Sequence, residues 1–381
     1  MRVLIAFDKF KDALDAEAAC AAAAGALAAK HPDWVLDVCP LTDGGEGFTT
    51  TLTRALGGRL EDVEVTGPLG QPVLARFGLV EPARLPEAAR VLLRLEGSRP
   101  ARHECIAIAD LASASGLALL APDQRNPWRT STTGTGQLLA TAGAGSDAIV
   151  LGIGGSATND LGCGALAALG VRFLDAFGSA LEPPVPSSWG DLTRIEGRPT
   201  LPPLSIACDV SNPLLGPKGA TATFGRQKGL PESDGRRLEA LASRMADSLC
   251  SHFAQPVTRA GEAGMGAAGG FSFGLAVGAN ARLVPGFDFV AACLGLSARL
   301  AAADLVLTGE GRFDATSLGG KAPGALIARA RRAGKAAHVF AGSLAIPEDR
   351  VHHAITPPDL PLAQALPRTA ELLAAAVALV L

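Results

Sequence analysis

Two acidic glycine loops contain the residue types that handle phosphate and metal. One is Asp43-Gly44-Gly45-Glu46-Gly47; the other is Gly309-Glu310-Gly311-Arg312-Phe313-Asp314. Glycine, without a Cβ, lets backbone N–H groups approach an anion closely, and carboxylates hold Mg²⁺ or accept a proton. Lys9 and Lys11 flank the end of an apolar run, Val3-Leu4-Ile5-Ala6-Phe7, that closes on Asp8. Arg312 and Lys321 also stand beside glycines. Taken singly, each is equally well an ordinary turn or a solvated surface charge.

A third loop, Gly152-Ile153-Gly154-Gly155-Ser156-Ala157-Thr158-Asn159-Asp160, follows an apolar strand at 148–151. Its hydroxyls and amide suit phosphate or metal contacts at a helix start. Thr130-Ser131-Thr132-Thr133-Gly134-Thr135-Gly136 is a run of small hydroxyls opening a helix. It reads either as a capped helix start or as a holder of a carboxylate or phosphate. Gly152-x-Gly154-x-x-Ala157 also fits the dinucleotide fingerprint, with Asp175 after a second strand at the distance of a ribose contact. An NAD-dependent oxidoreductase is therefore the rival reading. Gly264-x-Gly266-x-x-Gly269 fits the same pattern with no strand before it, so this glycine-rich composition generates chance matches. A G-x-x-x-x-G-K-[ST] loop and H-x-x-x-H spacing are missing from the sequence, and Gly154-Gly155-Ser156-Ala157-Thr158 is no G-x-S-x-G elbow because threonine stands at 158.

The elements that must position these residues alternate between strand and helix. The 3–7 run reads as a strand buried on both faces. A helix over 13–30 follows, with Asp12 as its N-cap, then a strand over 34–39 that leads into the Asp43 loop. This is a β-α-β unit. The alternation returns near the end of the chain: a helix over 288–302, strands over 304–307, 337–340 and 353–355, and helices over 322–333 and 363–380. The middle has proline-rich turns, short strands, glycine loops and a long helix over 232–253. The fold class expected is α/β. A doubly wound Rossmann- or flavodoxin-like parallel sheet spans 1–68 and 280–381, interrupted by an inserted α/β domain over 69–279, with a cleft between them.

In such a sheet, ligands bind outside the carboxyl ends of the strands. Asp8, the Asp43 loop, the Glu310 loop and Gly342-Ser343 then share one edge. The 152–160 and Asp209 loops would face them from the insertion. Phosphoryl transfer to a small alcohol needs this: metal and basic groups on the phosphates, and a carboxylate on the attacking hydroxyl.

Bulk properties narrow the class further. The 381 residues are 48% hydrophobic and 19% charged, with a net charge of -3. That charge gives no reason to expect nucleic acid or an anionic membrane. Aromatic residues make up only 4%, with no tyrosine, which argues against base-stacking platforms. Seven cysteines without a C-x-x-C pair argue against zinc and against a disulfide framework. The apolar stretch 372–381 is too short to span a bilayer. A reducing cytoplasm is the expected setting.

Ordered along the chain are Ile5-Ala6-Phe7-Asp8-Lys9-Phe10-Lys11, the Asp43 loop, Thr66-Gly67-Pro68-Leu69-Gly70, Gln124-Arg125-Asn126-Pro127 and the 152–160 loop. Then come Ala207-Cys208-Asp209-Val210 with Asn212-Pro213-Leu214, Phe224-Gly225-Arg226-Gln227-Lys228-Gly229, Gly266-Ala267-Ala268-Gly269-Gly270, the Glu310 loop and Gly320-Lys321. In this order the motifs resemble the bacterial class I glycerate kinases over nearly the whole length. The resemblance implies Mg-ATP-dependent phosphorylation of D-glycerate to 2-phosphoglycerate in a cytoplasmic enzyme. It implies no nucleic-acid or membrane partner and admits a homodimer. Regiochemistry toward 3-phosphoglycerate and a non-catalytic sugar-acid sensor stay open beside it.

Residues and resemblance together single out Asp209, Glu310, Asp314 and Lys9 as catalytic candidates. Asp8, Lys11, Asp43, Gly44, Gly45, Glu46, Thr133, Thr135, Gly154, Gly155, Ser156, Asn159 and Asp160 are candidates for holding substrate or ATP. Gln227, Lys228, Gly309, Gly311, Arg312 and Lys321 complete that group. Asp43, Glu46 and Glu310 are the candidate metal ligands. Which carboxylate is base and which binds metal is left open. The sequence departs from the family pattern at Phe7, where proline is usual, at Asp110 for glutamate, at Thr133 for an aromatic, and at Ala315-Thr316 for Gly-Gln.

Overall fold

The computed structural model describes residues 1–95, 104–318, 322–346 and 351–381. The chain divides into two compact units, a discontinuous one of Met1–Asp43 with Phe287–Leu381 and a continuous one of Gly44–Gly286. The first junction lies upstream of the 68/69 boundary expected from sequence. The Arg59–Thr66 strand pairs antiparallel with Pro72–Val80 and so belongs to the continuous unit.

The discontinuous unit is built on five parallel strands, in the order His352–Ala354, Ala336–Ala341, Leu305–Gly309, Arg2–Phe7, Val35–Val38. Val3, Ile5, Phe7, Leu305, Leu307 and Phe340 bury one face against the Ala16–Lys30 helix and against Leu373 and Val377 of Thr369–Val380. Val339 and Ala341 point the other way, onto Ile327 and Phe313. Burial on both faces is what turns the strands into continuous apolar runs. The stretch Leu362–Val380 is apolar and long enough to cross a membrane by length and composition. Here it is broken at Leu366–Arg368, and Leu373 and Val377 are buried in the core.

The first helix starts later than the sequence suggests. Asp15, not Asp12, is its N-cap: Asp15 Oδ1 accepts from Ala18 N at 2.7 Å. Phe10 and Leu14 exchange backbone hydrogen bonds at 2.8 and 2.9 Å, which throws Lys11-Asp12-Ala13 into a turn with Asp12 at φ 61°. That turn hangs Lys11 beyond the carboxyl end of the first strand. The helix expected over 288–302 is two, Gly286–Cys293 and Leu296–Ala302, separated at Gly295 with φ 61°.

The continuous unit has a six-stranded sheet in the order Arg282–Val284, Leu204–Ala207, Ala148–Gly152, Ile106–Asp110, Pro72–Val80, Arg59–Thr66. The first four are parallel and the last two antiparallel. Leu138 and Leu139 of Thr133–Ala144, Ile149, Leu151, Leu166 and Phe271 lie in its core.

Candidate active site

In the discontinuous unit, strand register brings two acids together. Phe7 pairs with Gly309, and Asp8 N donates to Gly309 O at 3.0 Å. Asp8 and Glu310 therefore leave the sheet from neighbouring strands. Gly309 has to be glycine here, because a Cβ would stand 1.7 Å from Phe340 O. Both acids are buried, Asp8 4% and Glu310 8% exposed. Lys9 Nζ donates to Asp43 Oδ1 at 3.2 Å. Burial pushes the Asp8 carboxyl up to about 8; Asp43 and Glu310 add to the rise and Lys9 opposes it. A carboxyl held protonated chiefly by burial, and further by neighbouring acids, is one that a cation would ionise.

The Glu310 loop is pinned by backbone bonds. Gly342 N donates to Glu310 O at 3.1 Å and Ser343 N to Gly311 O at 3.0 Å. Asp314 is engaged elsewhere: it exchanges bonds with Ser317 at 3.1 and 3.3 Å, opening the Ala315–Leu318 helix, and lies 3.7 Å from Arg312. Asp8, Lys9, Lys11, Asp43, Glu310 and Arg312 line a cavity of about 790 Å³. Lys321 lies outside the described residues.

All donors here are oxygens, which suits Mg²⁺, an ion that keeps several waters and takes one or two carboxylates beside substrate phosphates. Among the described residues no three His, Cys, Asp or Glu side chains already form a ligating group. An ion that arrives with its phosphates does not require one. Of the expected metal ligands, Asp43 and Glu310 share this cavity. Glu46 belongs to the continuous unit, its Oε1 3.8 Å from where a Cβ on Gly155 would stand.

The continuous unit uses its charges differently. Asp160 is fully buried and accepts from Thr132 Oγ1 at 2.7 Å, Thr132 N at 2.8 Å, Gly162 N at 3.1 Å and Gly164 N at 3.2 Å. Burial pushes its carboxyl up and these four bonds pull it back. It fastens the 152–160 loop to the start of Thr133–Ala144. Lys228, 1% exposed, donates to Ser156 Oγ at 2.9 Å and Thr158 O at 2.6 Å. Burial pulls its ammonium down to about 7, with Asp160 resisting. Thr135 Oγ1 donates to Ser115 Oγ at 2.8 Å, and Ser131 and Thr133 hydroxyls meet at 2.7 Å. Thr158 Oγ1 and Asn159 Oδ1 are buried without a hydrogen-bond partner among the described residues. Asp110 accepts from Thr49 Oγ1 at 2.6 Å and Ser113 N at 2.9 Å, so it ties loops together within this unit. Asp209 and Gln227 are exposed, Asp209 just past the Leu204–Ala207 strand.

The glycines of the 152–160 loop have a packing reason. A Cβ on Gly152 would stand 2.3 Å from Gly44 O, and one on Gly154 2.8 Å from Gly45 N and Cα. Gly154 N donates to Gly44 O at 3.0 Å. Two glycine loops thus touch backbone to backbone, which explains Gly152 and Gly154 without a dinucleotide. Asp175 lies past Arg172–Leu174, a strand of a separate antiparallel pair, and accepts from Phe177 N and Ser179 N at 2.8 Å each. It closes its own turn, which removes the ribose contact from the dinucleotide reading.

The model of the glycerate kinase family matches residues 3–381. The chain belongs to the glycerate kinase family. It is 36% identical to glycerate kinase of Bacillus subtilis (strain 168), over 97% of this chain and 94% of that protein. It is 32% identical to glycerate 2-kinase of Escherichia coli (strain K12), over 90% and 86%. A solved structure from Salmonella typhimurium LT2 that carries a glycerate kinase 2 designation aligns with a TM-score of 0.76 at 35% identity, over 100% of this chain and 97% of that one. The resemblance in the ordered motifs and the α/β class are borne out, and the chain is a kinase of the glycerate kinase family.

Seen against the fold, the family's motif residues fall into two sets. Asp8, Lys9, Lys11, Asp43, Glu310, Gly311 and Arg312 share one cavity. Thr133, Thr135, Ser156, Asn159, Asp160 and Lys228 form or brace the hydroxyl-rich loops of the other unit. Sequence reasoning missed Ser115, a serine in an Ala-Ser repeat with no motif around it. It also missed the wall contributed by Thr356, Pro357, Leu360 and Leu366, which has no ionisable group to draw notice.

Proposed function

We propose that the chain transfers the γ-phosphoryl group of Mg-ATP to D-glycerate, giving 2-phosphoglycerate and ADP. The observation that carries this reading is that Asp8, Asp43, Glu310 and Lys9 meet on one cavity at the carboxyl edge of a parallel sheet. In the reaction the glycerate hydroxyl oxygen bonds to the γ-phosphorus and the bond from that phosphorus to the β–γ bridging oxygen breaks. The hydroxyl proton passes to a carboxylate, and the bridging oxygen leaves with ADP.

Glu310 is the carboxylate best placed to take that proton, since it is buried on the cavity wall while Asp314 opens a helix. Asp209 is the alternative from the other unit. Asp8 and Asp43 are the oxygen donors suited to Mg²⁺, which when bound supplies charge neutralisation on the phosphates. Lys9, Lys11 and Arg312 offset the remaining anionic charge, including the carboxylate of glycerate, for which the 132–135 turn is a second candidate. The 2-position is supported by the name of the Escherichia coli relative. The cytoplasmic setting is supported by seven free thiols.

The test is incubation with ATP, Mg²⁺ and D-glycerate followed by ³¹P NMR. The expected result is a phosphate resonance coupled to the C2 proton together with ADP. No consumption of ATP would sink the reading, and a phosphate on C3 would keep the kinase and move the attacking hydroxyl.

A further inference from the structure

The cavity of the discontinuous unit is too large, and too unevenly lined, for the groups assigned so far. Its volume of about 790 Å³ lies in the range of roughly 300–1,000 Å³ that buries a drug-sized ligand. A three-carbon acid fills little of it. Its charged residues, Asp12 among them, follow the Arg2–Phe7, Val35–Val38 and Leu305–Gly309 strands. Ile346, Pro357, Pro358, Leu360, Leu362 and Leu366 line the same cavity from the far edge of the sheet, where the His352–Ala354 strand ends. From the Arg2–Phe7 strand to that edge is three strand spacings, about 14 Å.

Ser343 and Thr356 line the same cavity with hydroxyl groups. Leu362 is 70% exposed, so the apolar end turns aliphatic surface to water. Its frame is stiff: Pro357-Pro358 fixes two φ angles, and Leu360 N donates to Pro357 O at 3.0 Å. The cavity therefore has charged, hydroxyl and aliphatic lining, with the aliphatic part at the edge strand. A nucleoside triphosphate has parts that suit each: phosphates, ribose hydroxyls, flat base.

We propose that the 354–366 wall is the nucleoside subsite of the phosphoryl donor, with the base against Pro357, Leu362 and Leu366 and the ribose beside Ser343 and Thr356. This rests on the kinase reading above and adds where the nucleotide lies. Covering the base with aliphatic side chains makes the subsite a source of uniform binding, so its loss raises the KM for ATP and leaves kcat in place.

The experiment uses the full chain with Leu362→Asp, which changes an exposed position, and Thr356→Trp, which adds bulk to the cavity wall. Titration calorimetry measures Mg-ATP and Mg-tripolyphosphate separately. The expected result is Mg-ATP binding weakened about tenfold or more in both variants. Tripolyphosphate binding is expected to hold within about twofold in Leu362→Asp, and the KM for glycerate to stay unchanged there. Mg-ATP affinity equal to wild type in both folded variants overturns the subsite, as does an equal loss for tripolyphosphate and ATP in Leu362→Asp. If wild type binds ATP and the variants lose it while no phosphate is transferred, the subsite stands and the kinase reading falls. If turnover is normal and the variants bind ATP unchanged, the reverse holds.

Discussion

In the discontinuous unit the chain lays down a central strand, steps to one side with Val35–Val38, and resumes on the other side with Leu305–Gly309. In the continuous unit the six strands lie in sequence order from one edge to the other. The first plan has a point where the winding reverses, between Arg2–Phe7 and Leu305–Gly309, and the loops there splay to opposite faces and open a crevice. The second has no reversal. The charges follow the same division. At the reversal, Asp8, Asp43 and Glu310 share one cavity, and burial first, then the two neighbouring acids, raise the Asp8 carboxyl. In the sequential sheet, Asp160 and Lys228 are buried on hydrogen-bond partners within the loops they brace. One unit gathers its charges on a cavity; the other sets them in hydrogen bonds within its own loops.

The comparison can be broken most directly at Asp160. Asp160→Ala leaves four donors of the 152–160 and 132 region without their acceptor, and is expected to cost about 3–5 kcal/mol, read from the denaturant midpoint. A loss below about 1 kcal/mol would mean the carboxylate is not structural. Glu310→Gln is expected to do the opposite: kcat for phosphorylation falls on the order of 10²-fold with the unfolding midpoint nearly unchanged. Asp209→Asn sharpens this, because a loss of kcat as large as that of Glu310→Gln would give the sequential sheet a reacting carboxylate and end the contrast.

Two smaller effects have opposite signs in pH. Lys228 has its native pKa pulled down to about 7 from 10.5. Between those values the unfolded chain holds a proton that the native one lacks, so stability rises with pH across that window. Lys228→Met should flatten the rise in a urea titration series. Asp8 has its native pKa raised to about 8 from 3.8. Here the native state holds the extra proton, so in metal-free buffer its contribution is fully present below pH 4 and is lost as pH climbs through 8. Asp8→Asn should remove that fall. Identical pH–stability curves for either variant and wild type would show that the environment assigned to that side chain is wrong.

Much of the local structure was legible. The 3–7 and 304–307 runs read as buried strands because both faces are covered, and the Asp43 and Glu310 loops were visible as glycine turns after strands. Element ends were less legible. Asp12 and Asp15 are equally good caps by type, and the Phe10–Leu14 backbone exchange that selects Asp15 is a local turn no residue type announces. Gly295 splits a helix whose apolar pattern runs through it. In the site, Asp43 and Glu46 looked like one acidic motif. They divide between units because the boundary falls at Asp43/Gly44, where strand pairing and not composition changes.

By itself the sequence determined the family, the parallel α/β class and the residue types of the chemistry, since these rest on turn chemistry, apolar periodicity and motif order. Tertiary structure alone decided three things. It placed the winding reversal beside Asp8 and Glu310, buried Lys228 under Ser156 and Thr158, and joined an aliphatic wall at 354–366 to Asp8 at the end of the first strand. Each depends on pairings between residues tens to hundreds of positions apart. A side chain's charge is written in its type; whether it meets a ligand or a neighbouring loop depends on what the fold brings against it.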